Sequence, residues 1–353
     1  MSLTSPVRAR IEAAVRRRWY GEPGWLRILT PLSVVTRWVA RRRMSHRRLD
    51  PDIPTVVVGN LVVGGAGKTP LVLALVRRLL DAGARPGIIS RGYGAASGHQ
   101  ARLVEGTEDA SLVGDEPLLL ARESGVPVAI ARDRVAALSL LARRCDVIVS
   151  DDGLQHYALP RSVEIVAVKA PHFFGNGRLL PVGPLREPLD RLQAADLIVC
   201  VGSDVSATGA EAMKALPPEA RATAVAMAAN ASGWQVWKAG MAPRRVPLAE
   251  GAADLAGRSP LALAGIAHPE DFFADLDALG ISHEAYDLGD HGSALPELRT
   301  GRVVVTTAKD QARLDPALGA LECWVLEREL RADAAAERAL ESLVRRLVAQ
   351  RRA

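Results

Sequence analysis

Cysteine, lysine and long apolar runs are all scarce in this 353-residue chain. The three cysteines, Cys145, Cys200 and Cys323, are too few and too scattered for a disulfide scaffold or a zinc ribbon, and they fit a reducing compartment. Only five of the 45 basic residues are lysines, so Lys68 and Lys309 stand out against an arginine background. No apolar run reaches the roughly 18 residues that a membrane-spanning helix needs. Arginines interrupt the N-terminal stretch throughout, which is not the charged-then-apolar order of a secretory signal. With 48% hydrophobic and 24% charged residues, a disordered or collagen-like chain is excluded.

Charge is unevenly spread. Residues 1–50 carry twelve arginines and no lysine against Glu12, Glu22 and Asp50, a net +9 within a chain whose total is +5. An excess of one sign confined to one end points to an anionic partner for that end. The segment also holds Trp19, Tyr20, Trp25, Leu26, Ile28, Leu29, Leu32, Val34, Val35, Trp38 and Val39. Rings that settle among lipid headgroups, with guanidinium groups that meet lipid phosphates, suit a membrane-interface arm over residues 1–48. The competing reading is a helix packed on its own domain with a solvated basic face. A nucleic-acid arm is disfavoured, because so much aliphatic surface serves no purpose on phosphate.

From Thr55 the pattern changes. Short β-branched runs at Thr55–Val58, Gly87–Ser90, Val126–Ala131, Asp146–Ser150, Val163–Val168 and Leu197–Val201 read as buried strands. Pro70–Leu80, Pro117–Glu123 and Arg134–Arg144 read as helices between them. This alternation predicts an α/β fold with a P-loop NTPase-like parallel sheet covered on both faces. A polar, Ala-rich region near 204–222 separates it from a weaker set: strands at Ala222–Ala228, Leu261–Ile266, Arg302–Thr306 and Cys323–Leu326, and a helix at Glu270–Leu279. The expected division is an arm (1–48), a first α/β domain (49–210), a second, smaller α/β domain (211–330) and a C-terminal helix (331–353).

The sharpest local signal is a strand that runs into Val62-Val63-Gly64-Gly65-Ala66-Gly67-Lys68-Thr69-Pro70 and then a helix. Backbone N–H groups from Gly64, Gly65, Ala66, Gly67, Lys68 and Thr69 would wrap the triphosphate of ATP. Lys68 would neutralise the β- and γ-phosphates, and the Thr69 hydroxyl would meet Mg²⁺. The usual first glycine of the loop is Val62 here. Strand Asp146–Ser150 closes on Asp151-Asp152, and a P-loop enzyme needs a second Mg²⁺ ligand at that sheet edge. Asp115, in Gly114-Asp115-Glu116-Pro117, reads from spacing alone as a helix cap or as a carboxylate held near the γ-phosphate. Arg91, in Ser90-Arg91-Gly92-Tyr93-Gly94, reads as a turn residue or a phosphate-facing arginine.

Together these segments resemble the bacterial tetraacyldisaccharide 4′-kinases of lipid A synthesis. The specific matches are Asp151-Asp152-Gly153-Leu154-Gln155-His156, and Gly175-Asn176-Gly177-Arg178 running through Pro184-Leu185-Arg186-Glu187-Pro188. Val58-Gly59-Asn60-Leu61 and Thr306-Thr307 with Lys309-Asp310 add to them. The resemblance implies transfer of the ATP γ-phosphoryl group to the 4′-hydroxyl of a tetraacylated glucosamine disaccharide 1-phosphate. It also implies a monotopic enzyme on the cytoplasmic face of the bacterial inner membrane. It makes Asp115 the general base, supported by His291, and places Arg134 near the transferring group. Asn60, Arg91, Gln155, His156, Asn176 and Arg178 become candidates for substrate contact. The chain departs from the family pattern at Ala308, Gly292 and Ala267-His268, all in the second half. The rival readings are a P-loop maturation or switch ATPase acting on a protein partner, and a nucleic-acid-binding ATPase.

Overall fold

A computed structural model of the chain describes residues 5–46, 52–92, 100–238, 241–289, 302–318 and 321–351. Two helices come first, α1 (Ser5–Trp19) and α2 (Thr30–Met44). Next, β1 (Thr55–Gly59) enters α3 (Lys68–Asp81) through the glycine-rich turn. The first half continues with β2 (Pro86–Ser90), β3 (Arg102–Val104), α4 (Ala110–Val113), α5 (Asp115–Ser124), β4 (Val128–Ile130) and α6 (Arg134–Leu141). It closes with β5 (Val147–Ser150), β6 (Val163–Lys169) and β7 (Leu197–Gly202). The second half holds α7 (Val205–Ala215), β8 (Ala224–Trp237), β9 (Arg244–Pro247), α8 (Leu248–Leu255), β10 (Leu261–Ala264) and α9 (Pro269–Ala278). The chain then runs through β11 (Glu284–Asp287), β12 (Val303–Thr307), α10 (Ala308–Leu318), β13 (Glu322–Ala332) and α11 (Ala334–Gln350).

The strands form one sheet in the order β11-β10-β12-β13-β8-β7-β6-β1-β5-β2-β4-β3, with β9 added on β8. Pairing is parallel from β8 through β7, β6, β1, β5 and β2 to β4, as β-branched runs buried on both faces require. Every residue of β1, β2 and β5 is buried. The main core packs β1, β5 and β6 against Leu71, Leu75, Val76 and Leu79 of α3. Leu340, Leu343, Val344 and Leu347 join that core, so the C-terminal helix packs on the first half. Arg78 of α3 also bonds Glu337 of α11 at 2.6 and 2.8 Å.

The Ala-rich region expected as a separator contains helix α7. Alanine is the best helix former, and Asp204 caps the helix by accepting from Ala207 N at 2.7 Å. The strand expected at Ala222–Ala228 runs on to Trp237. Its first residues, Ala224–Ala228, pair with β7, and Met227–Trp237 pair antiparallel with β13. Between these attachments, Ala229–Ala231 and Arg328–Leu330 form a two-stranded ribbon, with a register shift at Glu327/Arg328. The second half therefore continues the first half's sheet through this ribbon.

Candidate active site

The phosphate loop follows β1, at the centre of the first half. Gly64 (φ +112°) and Gly67 (φ +71°) adopt backbone conformations that side-chain-bearing residues rarely adopt. Val62 stands where the pattern has glycine because the backbone there is extended: it bridges Leu185, and Val63 N–H donates to Pro184 O at 2.9 Å. The turn begins two residues later. Asn60, fully buried, donates to Gly64 O at 3.2 Å and accepts from Lys68 Nζ at 3.2 Å. It braces both the loop and its lysine.

β5 pairs directly with β1, so the acids that follow Ser150 reach the same sheet edge. Lys68 Nζ lies 3.0 Å from Asp152 Oδ1. Asp152 has φ +45°, a conformation that costs a non-glycine residue roughly 1–3 kcal/mol and marks functional turns. Burial raises the pKa of Asp152, but Lys68 and Arg186 outweigh it and hold the group at about 2. Asp151 behaves oppositely. Burial, then the nearby Glu116 carboxylate, push it up to about 7 against the pull of Lys68. Its Oδ2 accepts from Ser90 Oγ at 3.4 Å, and its buried Oδ1 has no hydrogen-bond partner among the described residues.

Arg134 begins α6 and is buried at 2% exposure. It donates to the carbonyls of Ala131, Asp151 and Asp152, and so clamps the backbone that carries the acids. Burial lowers its pKa to about 10, which leaves it charged. Gln155 donates to Asn60 O at 3.0 Å and accepts from Arg186 at 3.3 Å. His156 accepts from Arg134 N at 3.4 Å on the other side of the clamp, and its pKa is lowered by burial. Arg91 is exposed, near enough to Arg134 to oppose its charge.

Asp115 sits at the first turn of α5. The cap position itself is Gly114, so Asp115 is not the capping residue. Its Oδ1 accepts from Glu116 N at 3.0 Å, and its side chain is buried. Lys309, from α10, reaches it across the cleft. His291 lies outside the described residues. Asn176 packs against the end of the first N-terminal helix. It donates to Arg18 O and Val182 O and accepts from Arg178 N. The Arg178 side chain is exposed.

The arm mixes both readings of its sequence. Trp19 turns inward and donates to Pro181 O, Leu26 is buried, and Ser33 and Thr36 donate to Leu179 O and Leu180 O. By contrast Trp25, Ile28, Leu32, Val34, Val35 and Trp38 stay exposed, Ile28 at 83%. His268, one of the departures from the family pattern, is buried and stacks on His172 at 4.2 Å, with Tyr20 edge-on to both. Glu270 lies within reach of the pair. The two imidazole planes are nearly parallel, at 12°, so their lone pairs do not converge on one ion. This cluster seats the arm.

One feature beneath the site carried no clear signal in the sequence. Glu164, Arg161 and Arg191 are buried to 1% or less. Glu164 pairs with Arg161 at 2.9 Å and with Arg191 at 2.7 Å. Tyr157 donates to Glu187 at 2.6 Å and accepts from Arg191 at 3.0 Å, and Glu187 reaches Gln155. A charged residue within the apolar run Val163–Val168 was the available clue, since a buried carboxylate demands a cation.

A cleft of about 950 Å³ opens beside the loop. Gly65, Gly67 and Thr69 line one wall, and Ile266, His268 and Lys309 line the other. A turn rich in backbone N–H, a lysine and two aspartates of opposite titration suit phosphoryl transfer from a nucleotide.

Comparison with known proteins agrees. The family model described as tetraacyldisaccharide-1-P 4′-kinase matches residues 25–346. A tetraacyldisaccharide 4′-kinase of Alkalilimnicola ehrlichii is 42% identical over 341 residues, covering 92% of this chain and 95% of its own. One from Methylobacillus flagellatus is 38% identical over 311 residues, covering 85% and 86%. The crystal structure of LpxK from Aquifex aeolicus in complex with ATP superposes with a TM-score of 0.70 at 26% identity, covering 91% of this chain and 99% of that one.

Proposed function

The chain belongs to the tetraacyldisaccharide-1-P 4′-kinase family, and from that premise we propose that it moves the γ-phosphoryl group of ATP onto the 4′-hydroxyl of a tetraacylated glucosamine disaccharide 1-phosphate, with Asp115 as general base. The observation that supports this reading is the meeting at one sheet edge of Lys68, Asp151 and Asp152, with Glu116, the neighbour of Asp115, close enough to act on the Asp151 carboxylate. On this reading residues 49–210 form the kinase unit, and residues 211–330 form a smaller unit that closes over it.

The loop amides from Gly64 to Thr69 take the phosphates, and the base and ribose enter the cleft. Lys68 is held by Asp152 and Asn60, so nucleotide binding means exchanging those partners for phosphate oxygens. The residues present also fit Mg²⁺, a hard cation that prefers oxygen ligands. Asp151 is a desolvated carboxylate with an unsatisfied oxygen, as a group placed for a cation would be. Thr69, Asp151 and Asp152 would hold the ion, which supplies charge neutralisation for the transferring phosphoryl group. Arg134 keeps the aspartate backbone in place. Asp115 takes the proton from the sugar hydroxyl as the new P–O bond forms and the bond to ADP breaks.

Asp151→Asn removes a buried charge at nearly constant volume. Scanning calorimetry of the metal-free protein is expected to show an unchanged or higher melting temperature, while Mg²⁺-dependent turnover falls by about 10²-fold or more. A clear drop in melting temperature would make the carboxylate structural.

The acceptor's acyl chains leave a bilayer at a cost of about 0.8 kcal/mol per CH₂, so the enzyme comes to the membrane. No helix among the described residues is long and apolar enough to cross one. The exposed band from Trp25 to Trp38, with Arg42 over the Trp38 ring at 5.6 Å, is the surface that enters the headgroup layer at the cytoplasmic face of the inner membrane. Replacing Trp25, Ile28 and Trp38 together by serine is expected to weaken binding to anionic vesicles about 10- to 100-fold in sedimentation assays. These side chains are exposed, so the variant keeps the arm docked. Undiminished binding would remove the arm's role.

The direct test incubates the protein with ATP, Mg²⁺ and a tetraacylated disaccharide 1-phosphate in mixed micelles. The expected result is an acceptor heavier by one phosphoryl group. ATP hydrolysis that ignores the acceptor would overturn the proposal.

A further inference from the structure

Lys309 is one of five lysines in the chain, and no step described so far uses it. It lies in the first turn of α10, and its neighbour fixes that turn. Asp310 is fully buried and accepts from Gly265 N at 2.9 Å, Thr307 Oγ1 at 2.7 Å and Arg313 Nη2 at 2.6 Å. From this anchored position the Lys309 side chain crosses to the first half. Its Nζ lies 3.1 Å from Glu116 Oε1 and 3.8 Å from Asp115 Oδ2, and it also lines the cleft that contains Thr69. The ammonium is mostly enclosed, with its side chain 18% exposed.

Two adjacent carboxylates in the first turn of a helix repel each other, and burial strengthens the repulsion. The helix N-terminus relieves part of it, and a desolvated ammonium relieves much more. Lysine suits the position better than arginine. Its compact charge and three donors can serve two carboxylates that do not share a plane, whereas a guanidinium fork matches one.

We propose that Lys309 is a positioning residue for phosphoryl transfer. It is a cation delivered by the second half of the chain that fixes the Asp115 and Glu116 carboxylates at the mouth of the phosphate loop. The ammonium forms no bond to substrate and gives up no proton. Because it comes from the opposite side of the cleft, the base is fully oriented only while the halves are together, which ties proton abstraction to closure over the nucleotide. The proposal rests on Asp115 being the base.

The test compares Lys309→Met and Lys309→Arg in the wild-type and Asp115→Asn backgrounds, using steady-state kinetics with ATP and the glycolipid acceptor. Lys309→Met is expected to lower kcat about 10- to 100-fold while KM for ATP changes less than ~3-fold, with Lys309→Arg recovering part of the loss. In the Asp115→Asn background the same substitution is expected to cost less than ~3-fold, because the group it positions is gone. A raised KM for ATP with kcat preserved would assign the ammonium to the nucleotide and overturn the proposal. An equal kcat loss in both backgrounds would also overturn it, by separating Lys309 from Asp115. Full activity of Asp115→Asn alone would instead bring down the base assignment, and this proposal with it. Lys309→Gln serves in the same design if the Met variant does not fold.

Discussion

Asp115→Ala is expected to cut kcat by about 10²–10⁴ while leaving ATP affinity within a few-fold of wild type. The split follows from where the carboxylate sits. Lys68 bonds both Asn60 and Asp152, and among the described residues Asp115 is not one of its partners. Asp115 instead belongs to α5 and is braced by Glu116 N–H and Lys309. On the proposed mechanism, removing it leaves the phosphate loop untouched and takes away the acceptor of the sugar hydroxyl's proton. Alanine is the best helix former and the cap is Gly114, so helix α5 survives the change. Asp115→Asn, which keeps shape but not basicity, is expected to be nearly as inactive. Single-turnover phosphorylation and equilibrium binding of an ATP analogue separate the two quantities. A kcat near wild type would show that the proton leaves by another route.

Glu164→Ala should produce the largest stability loss. It removes the one carboxylate that faces both Arg161 and Arg191, in a region with almost no water access. Arg161 would then lose its carboxylate and Arg191 would keep only Glu187, 3.7 Å away, and breaking such a buried pair from one side costs about 3–5 kcal/mol. Urea unfolding followed by circular dichroism should show that loss as a lower midpoint. Replacing Arg161, Glu164 and Arg191 by apolar residues of similar volume, together with Glu187→Gln, should cost much less, because Glu187 would otherwise lose its Arg191 partner and the fourfold change leaves no unpaired charge. If Glu164→Ala alone melts like wild type, the network is not holding this region together. The consequence for activity is local. Glu187 contacts both Tyr157 of this network and Gln155 of the site, so a loosened network is expected to raise KM before it changes kcat.

The sequence showed the centre of the fold more clearly than its margins, for physical reasons. β1, β5 and β6 are β-branched runs buried on both faces, and such runs leave a strong imprint. β3 and β11 are short, lie at the edges of the sheet and carry charge, so their composition resembles loop. The sequence signals only the first half of β8 because Ala229–Gly233 has no side chains that favour strand; antiparallel pairing with β13 holds it. Within the site, the glycine-rich turn and the two aspartates were visible because their chemistry fixes residue type and spacing. The opposite titration of Asp151 and Asp152 was not, since it depends on Glu116 and Arg186 arriving from elsewhere in the chain. Trp19 and Trp25 are six residues apart in the arm, yet one is a hydrogen-bonded anchor and the other faces solvent. Composition cannot separate them, because the difference is made by Pro181.

The ribbon between the halves limits how they can move. No slack loop connects the lobe that carries Lys309 to the sheet that carries the phosphate turn; two hydrogen-bonded strands do. Such a joint resists a free swing but yields to torsion, and most easily where its ladder slips at Glu327/Arg328. Opening and shutting should therefore resemble the wringing of a strap, with a spring constant set by backbone pairing, and a proline placed there would loosen the machine without touching its chemistry.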